Sequence, residues 1–174
     1  MALVSGDILL LSGKRWDSRT IRWFQSLWAK DGRVDYDHAA VVVSKDVLFE
    51  ATTPTIGLYN IEPEHYLGST VKVFRCNGMT FARAVEGRKY IFKLSGLKYP
   101  VYRLFLFALR LARFIHWKRM VCSEVAAKFL TDAGFYDRWW GVDVDQLHDY
   151  MESDSRFVVV FEGKLRDFYG PEGT

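Results

Sequence analysis

Two runs of apolar and β-branched residues, separated by a short polar stretch, constrain the fold of this chain more than any other feature. The runs are residues 38–43 and 47–52, and residues 44–46 between them read Ser-Lys-Asp. This pattern predicts an antiparallel hairpin. If the turn has three residues, the numbers of any two residues paired across the hairpin add up to 90. If the turn has five residues, they add up to 88 or 90. Because side chains alternate between the faces of a sheet, either sum places His38 and Glu50 on the same face.

The remaining patterns predict a mixed order of strands and helices, which indicates an α+β fold. Asp17 or Ser18 is expected to cap the first helix, Asp145 to cap the last, and Gly134 to end the helix before it. At 174 residues the chain is expected to form one domain, residues 1–174. Strands are predicted at 6–11, 71–76 and 157–161, and helices at 18–30, 80–94, 101–117, 123–133 and 145–151.

The composition excludes several classes of protein. With 13 Phe, 9 Tyr and 6 Trp the chain is too aromatic to be disordered, and two cysteines are too few for a disulfide framework. The formal net charge of +3 is too small to indicate a nucleic-acid partner, and none is expected. The sequence contains no phosphate-binding loop and no paired-cysteine or HExxH zinc motif, so we expect neither cofactor nor metal.

Positive charge is concentrated in the middle of the chain. Residues 83–119 contain ten Lys and Arg but only one acidic residue, Glu86, whereas residues 120–174 contain 5 Lys and Arg against 11 Asp and Glu. Two interpretations are open at this point. Either the two regions face each other or are simply solvated, or the basic segment contacts an anionic polymer or an anionic membrane surface.

The longest apolar stretch, residues 101–117, is interrupted by Arg103, Arg110 and Arg113. On a helix these three arginines form a narrow polar edge, which predicts a helix that either packs deeply or lies on a membrane. A spanning helix needs about 20 mostly apolar residues, and Asp7 precedes the first apolar run where a secretory signal carries positive charge. We therefore expect a soluble, cytoplasmic protein, with a bacterial or phage source compatible with the sequence.

Cys122 and His38 are the candidates for covalent chemistry. Cys122 stands at the start of a predicted helix, where exposed backbone N–H groups favour the thiolate form and can bind an oxyanion. Glu50 on the neighbouring strand can orient His38, which completes the pattern of a nucleophile, a base and an orienting group. The alternative is that Cys122 is a buried structural cysteine and His38 a core or edge histidine. Cys76, in phase with Phe74 on a predicted strand, is interpreted as structural.

Several segments together resemble the circularly permuted, papain-like NlpC-type family (YiiX/YebB-like). In this order the cysteine follows the histidine, whereas it precedes the histidine in ordinary papain-like enzymes. The resemblance implies a permuted papain-like fold, with an antiparallel sheet or barrel packed against helices. The matching segments are Gly6-Asp7-Ile8-Leu9, Asp37-His38-Ala39-Ala40-Val41-Val42, Phe49-Glu50-Ala51, Gly96-Leu97-Lys98-Tyr99, Val121-Cys122-Ser123-Glu124-Val125 and residues 142–147.

The resemblance implies a cysteine hydrolase, an amidase or peptidase that acts through a thioester acyl-enzyme. Cys122 would be the nucleophile, His38 the base and Glu50 the third member of the triad. The substrate would be a peptidoglycan stem peptide, another amide conjugate or a lipid acyl bond. Two departures from the family pattern, Ala40 after the histidine and Val121 before the cysteine, leave the oxyanion donor open. Candidates for oxyanion or substrate contacts are Tyr36, Tyr99 and Ser123.

A second hypothesis belongs to another class of protein. Here the fold is a scaffold, and the basic segment 83–119 binds a membrane or cell envelope. A third option is an accessory factor of a virion or toxin whose activity needs a partner.

Overall fold

The computed structural model describes residues 2–12, 35–61, 69–108 and 120–169, and within these ranges six strands form one sheet. Their order is β4-β3-β2-β1-β5-β6, and every neighbouring pair is antiparallel. Together with the helices, this sheet confirms the α+β class. The strands are β1 (Ile8–Ser12), β2 (His38–Ser44), β3 (Val47–Ala51), β4 (Ile56–Asn60), β5 (Thr70–Cys76) and β6 (Phe157–Lys164).

Five helices accompany the sheet within the described ranges, and the first continues into a 3-10 turn at Phe92–Leu94. The helix predicted at residues 18–30 and the second half of the one predicted at 101–117 lie outside the described residues. The helices are α1 (Phe81–Ile91), α2 (Val101–Ala108), α3 (Cys122–Asp132), α4 (Val144–Ser153) and α5 (Leu165–Tyr169).

The ends of α3 and α4 follow from local capping. Gly134, with a φ of 81°, follows the end of α3 as predicted. The prediction that Asp145 caps the last helix is wrong, because α4 starts earlier than expected. Asp143 has the extended backbone of a cap residue and accepts a hydrogen bond from the Gln146 amide, while Asp145 lies inside the first turn.

The hairpin of β2 and β3 has the predicted register. Ala40 pairs with Glu50 and Val42 with Leu48, so that the paired numbers sum to 90. The turn itself is shorter than expected, because the register shifts between Val42 and Ser44 and leaves only residues 45–46 outside the ladder. The even sum over the first part of the hairpin is what keeps Glu50 one diagonal step from His38 on the same face.

Two apolar clusters cover the two faces of the sheet. The larger one includes Ile8 and Val41 from the strands and Val125 and Phe129 from α3. The smaller one packs strand residues such as Leu9 against residues of α5. The central strand β1 is therefore buried on both faces, which explains why it is a continuous apolar run rather than an alternating one, whereas the edge strands β4 and β6 are partly exposed.

Helices α1 and α3 approach each other closely at Gly87. A Cβ atom at this position would lie 2.7 Å from the Phe129 carbonyl oxygen and 2.7 Å from the Phe129 ring. Only glycine fits this contact, because real Cβ atoms do not come so close to backbone. The contact fixes α3, the helix that begins with Cys122, against the rest of the domain core.

Arg103 is buried, which agrees with the deeply packed alternative for its helix in the part that the structure describes. Its side chain is fully buried, and its guanidinium pairs with the Glu124 carboxylate near the start of α3. The guanidinium carbon also lies 4.3 Å from the centroid of the Trp140 ring. Sequence spacing on one helix cannot show that a second helix supplies a buried partner.

None of the described helices is long and apolar enough to cross a lipid bilayer.

Candidate active site

The register of the hairpin brings His38 and Glu50 into direct contact. His38 is the first residue of β2, and its Nε2 atom lies 2.6 Å from the Oε2 atom of Glu50 on β3. The Glu50 side chain is 5% exposed and that of His38 is 22% exposed. The carboxylate is thus held in a dry environment while one edge of the imidazole remains accessible. This arrangement fixes the orientation of the ring.

Cys122 is the first residue of α3. Val121 precedes it as the cap residue with an extended backbone, and the Cys122 side chain is buried. The first amides of a helix have no partner within the helix, so the amides at this end are oriented to bind negative charge. The sequence predicts Cys122 at the start of a helix, and α3 begins at this residue.

The Cys122 thiol interacts with the His38 ring. Burial by itself lowers the pKa of His38, but the charge of Cys122 and a hydrogen bond with it, together with the hydrogen bond and charge of Glu50, raise that pKa well above its usual value. Because Nε2 is bound to Glu50, Nδ1 is the ring nitrogen left for Cys122. The raised pKa favours an imidazole ring that is protonated on both nitrogens and lies between Cys122 and the Glu50 carboxylate.

Tyr99 is a further polar side chain packed against the core cluster that contains Cys122. Burial raises the pKa of Tyr99 well above its usual value, and the charges of Cys122 and Glu124 raise it further. Both charges therefore act on the same phenolic hydroxyl, which stays protonated and able to donate. The backbone of this segment is held in place, since the Tyr99 amide donates to the Pro54 carbonyl at 3.0 Å and Lys98 forms a bridge with Thr55.

The hydroxyls of Tyr36 and Ser123 form hydrogen bonds with groups outside the Cys122–His38–Glu50 arrangement. Tyr36 donates to Glu162 on β6 at 3.2 Å, which is three strands away from β2 in the sheet. Ser123 donates to the Val142 carbonyl at 2.8 Å and is buried. The charge of Cys122 acts on the Tyr99 hydroxyl, whereas the charges that act on the Tyr36 hydroxyl are those of Glu162, Asp35 and Glu152.

Glu124 belongs to the candidate site, although the sequence did not indicate it as a site residue. Its carboxylate is fully buried and accepts hydrogen bonds from the amides of Val121 at 3.2 Å and Gly141 at 3.0 Å, in addition to pairing with Arg103. A Glu three residues after a cap residue is a signal for this kind of contact, although Val121 lacks the polar side chain of a full capping box. No sequence signal pointed to Gly141 or Arg103 as its partners.

Cys76 differs from Cys122 in its surroundings. It lies on β5 in the larger core cluster together with Phe74, as predicted. Burial raises the pKa of the Cys76 thiol to about 11.

Within the described ranges no group of three or more His, Cys, Asp and Glu side chains is placed to hold a metal ion.

Comparison with known proteins relates the chain to a known fold. No family model matches it, and no curated protein does. Among solved structures it is similar to the crystal structure of metalloprotein yiiX from Escherichia coli O157:H7, with a TM-score of 0.65. The match covers 93% of this chain and 98% of that chain at 16% sequence identity. At such an identity the similarity concerns the fold alone, and the description of yiiX as a metalloprotein applies to that protein.

Proposed function

We propose that this protein is a cysteine hydrolase of the circularly permuted papain-like type, with Cys122 as nucleophile, His38 as base and Glu50 as the orienting carboxylate. The observation that carries the proposal is the 2.6 Å contact between His38 and Glu50 next to a cysteine that begins a helix. The similarity of fold to yiiX supports it, since the resemblance of the sequence motifs pointed to the same group of proteins.

The reaction that fits this geometry is acyl transfer to water. The Cys122 thiolate attacks the carbonyl carbon of an amide, a C–S bond forms, and the carbonyl electron pair moves to oxygen. The C–N bond then breaks as His38 Nδ1 gives its proton to the leaving amine, which leaves a thioester. Neutral His38 takes a proton from water, the resulting hydroxide attacks the thioester, and the C–S bond breaks to release the acid and the thiolate.

The oxyanion of each tetrahedral intermediate requires donors close to Cys122. We assign this role to the Cys122 backbone amide and the Tyr99 hydroxyl. The amide is at the first position of α3, and the hydroxyl shares its environment with the thiol and stays protonated because its pKa is raised. Preorganised donors of this kind contribute about 10²- to 10³-fold in rate each.

The substrate belongs to a broad class, compounds with an acyl carbon bound to nitrogen or oxygen. Peptidoglycan stem peptides, other amide conjugates and lipid amides or esters fall within it.

In the described part of segment 83–119 the basic residues divide into two groups: Arg83, Lys89, Lys93 and Lys98 are exposed, whereas two arginines pack against the protein. Arg103 is buried against Glu124, and Arg88 donates to Ser5 Oγ and, at 3.4 Å, to the Val43 carbonyl. These side chains contact the protein itself. Cosedimentation of the Cys122→Ala variant with anionic liposomes separates the two hypotheses, because full binding together with no turnover by the wild type would favour the membrane function.

The hydrolase proposal is tested with a panel of acyl electrophiles, including p-nitrophenyl acetate, followed by intact-mass measurement and peptide mapping. We expect an acyl adduct on Cys122 that disappears over time as water releases it. The Cys122→Ala variant should form no adduct, whereas the Cys76→Ala variant should behave as the wild type. Adducts on neither cysteine, or equal adducts on both, would contradict the proposal.

A further inference from the structure

Apolar side chains line one side of α1 that does not face the core. Phe81 is 79% exposed, and Phe92, in the 3-10 turn that continues the helix, is 38% exposed. Val85 lies between them and is half-buried. These three residues are four and seven positions apart, so they follow one line along the helix, beside the side on which Gly87 packs against α3. A single exposed apolar residue is ordinary, but a line of them marks a contact with something outside the core.

Leu58 on β4 extends this line of apolar side chains onto the sheet. Its side chain is 53% exposed. It pairs directly with Phe49 across the ladder of β3 and β4, so the two side chains lie on the same face of the sheet. The Phe92 ring packs on the buried Phe49 ring, with 5.3 Å between the ring centroids. Leu58 and Phe92 are therefore both neighbours of Phe49, and they belong to one exposed apolar surface.

Positive charge accompanies this apolar surface. Residues 80–101 contain five basic side chains and one acidic side chain, Glu86, which pairs with Lys89 at 2.5 Å. Lys93 and Lys98 are exposed, and neither of them pairs with a carboxylate in the part of the chain that the structure describes. The two lysines are thus free to interact with a negatively charged partner.

Backbone pairing holds the second of these lysines at the edge of the sheet. The Gly96 amide donates to the Ile56 carbonyl at 2.8 Å, and the Ile56 amide donates to the Leu97 carbonyl at 2.9 Å. Lys98 then forms an antiparallel bridge with Thr55. The segment after the 3-10 turn therefore runs along β4, and its lysine lies at the same edge of the sheet as the apolar surface.

The combination of exposed phenylalanines and unpaired lysines indicates the kind of partner. An anionic polymer in water satisfies the lysines but leaves Phe81 and Phe92 in solvent. A membrane of anionic phospholipids satisfies both, because its headgroups attract lysine and the boundary with the acyl chains takes up apolar side chains. Lysine suits this boundary, since its apolar stem lies along it while the charged end stays in water.

We propose that this surface docks the protein on a membrane that contains anionic phospholipids. The apolar side chains enter the headgroup region and the lysines contact lipid phosphates. The inference goes beyond the proposed function, because docking requires neither Cys122 nor His38. The docking surface consists of the side chains described above on α1, its 3-10 turn, β4 and the segment that follows the turn: Phe81, Val85, Phe92, Leu58, Lys93 and Lys98.

The test is cosedimentation of the full chain with vesicles of phosphatidylcholine, prepared with and without phosphatidylglycerol, over a series of salt concentrations. We expect binding to the vesicles that contain phosphatidylglycerol and little binding to those without it. Binding should weaken as salt rises past the physiological concentration, because salt screens the attraction between lysine and lipid.

Two variants separate the apolar contribution from the charged one. Phe81→Ala should lower the affinity about tenfold, an effect that persists at low salt, because it removes an apolar side chain that the membrane buries. Phe81 is exposed enough for its loss to leave the fold intact. Lys93→Gln combined with Lys98→Gln should lower the affinity about 25-fold at physiological salt, about fivefold for each lysine.

The matched control makes the same kind of change at the opposite edge of the sheet. Val159→Ala combined with Lys164→Gln removes an apolar side chain that is 44% exposed and one positive charge from β6. This variant should bind the vesicles as the wild type does. An equal loss of binding in the control would show that the net charge of the protein, and not this surface, causes the binding, and would overturn the proposal.

The remaining outcomes also decide. Absence of binding to phosphatidylglycerol vesicles at low salt would overturn the proposal. If Phe81→Ala binds as the wild type and only the lysine variant loses affinity, the partner is an anionic polymer and membrane docking is wrong. Cys122→Ala should bind as the wild type. Vesicle binding without an acyl adduct on Cys122 would leave the docking surface in place while the hydrolase proposal fails, and an adduct without vesicle binding would do the reverse.

Discussion

The Nε2 atom of His38 and the Oε2 atom of Glu50 are 2.6 Å apart on neighbouring strands, one diagonal step from each other in the ladder. The contact occupies the ring nitrogen that points away from Cys122. The contact therefore leaves Nδ1 as the nitrogen that faces the Cys122 thiol. The pairing of β2 with β3, rather than a flexible loop, positions this contact. The reactive geometry depends on the register of a single hairpin.

Replacing Glu50 with Gln tests this contact. The amide is nearly isosteric but neutral, so it no longer stabilises the imidazolium, and we expect acylation by p-nitrophenyl acetate to slow by about 100-fold. The variant should keep the far-ultraviolet circular dichroism of the wild type. The matched control is Glu162→Gln, which changes the exposed acceptor of the Tyr36 hydroxyl and should leave the rate unaltered. A rate close to wild type in Glu50→Gln would reduce the site to a Cys122–His38 dyad.

The two cysteines should differ in reactivity although both are buried. The raised pKa of Cys76, about 11, leaves almost no thiolate at pH 6.5, whereas Cys122 interacts with the His38 ring and stands at the first position of α3, a site whose free amides favour anions in general. Limiting iodoacetamide should thus alkylate Cys122 well before Cys76 in the native protein. Intact-mass kinetics with peptide mapping gives the order, and equal slow labelling of both would identify Cys122 as a structural thiol.

Tyr99→Phe tests the assignment of the oxyanion donor. Loss of the hydroxyl should slow acylation by about 10²-fold, the cost of removing one preorganised donor. Tyr36→Phe is the control, since the Tyr36 hydroxyl bonds Glu162 and should not affect the rate. Because its pKa is raised well above 10, Tyr99 should remain a donor in alkaline buffer, so the difference between wild type and Tyr99→Phe should persist at pH 10. Equal effects of both substitutions would contradict the assignment.

The contact between α1 and α3 predicts the effect of Gly87→Ala. Alanine favours a helix by about 1 kcal/mol over glycine, but its methyl group would lie against the Phe129 backbone, and overpacking costs about 1–3 kcal/mol. Because the backbone at Phe129 cannot move aside easily, we expect a net loss of stability in urea unfolding. Gly57→Ala is the matched control, since its new methyl group meets only ordinary contacts and should change stability by about 0.5 kcal/mol or less. A Gly87→Ala variant more stable than the wild type would show that the helices can separate.

Acid stability should depend on Asp154. Hydrogen bonds from Arg156 hold the pKa of Asp154 well below its usual value. A lowered pKa contributes stability above the unfolded value of about 3.9, and that contribution is lost as pH falls through the folded value. Unfolding free energies measured in urea at a series of pH values should therefore fall more steeply below pH 4 in the wild type than in Asp154→Asn. Parallel curves would mean that the contact with Arg156 does not persist in solution.

Much of the candidate site was predictable because its determinants are local. The β2–β3 hairpin follows from residues 38–52 alone, and period-two alternation is sufficient to place His38 and Glu50 on one face. The position of Cys122 at a helix start follows equally from the run that begins there, and Gly134 marks the end of that helix. These features need only backbone geometry and neighbours in sequence.

What the sequence by itself determined was therefore the class of fold, the central hairpin and the placement of His38 and Glu50 on one face. Only the tertiary structure decided that Glu124 binds Arg103 and Gly141, that the charge of Cys122 acts on Tyr99 rather than on Tyr36, and which of the two alternatives for the helix of Arg103 holds in its described part. The physical reason is that a buried charge is tolerated only where a partner meets it. That partner comes from another element of the fold, at a distance along the chain that no local pattern encodes.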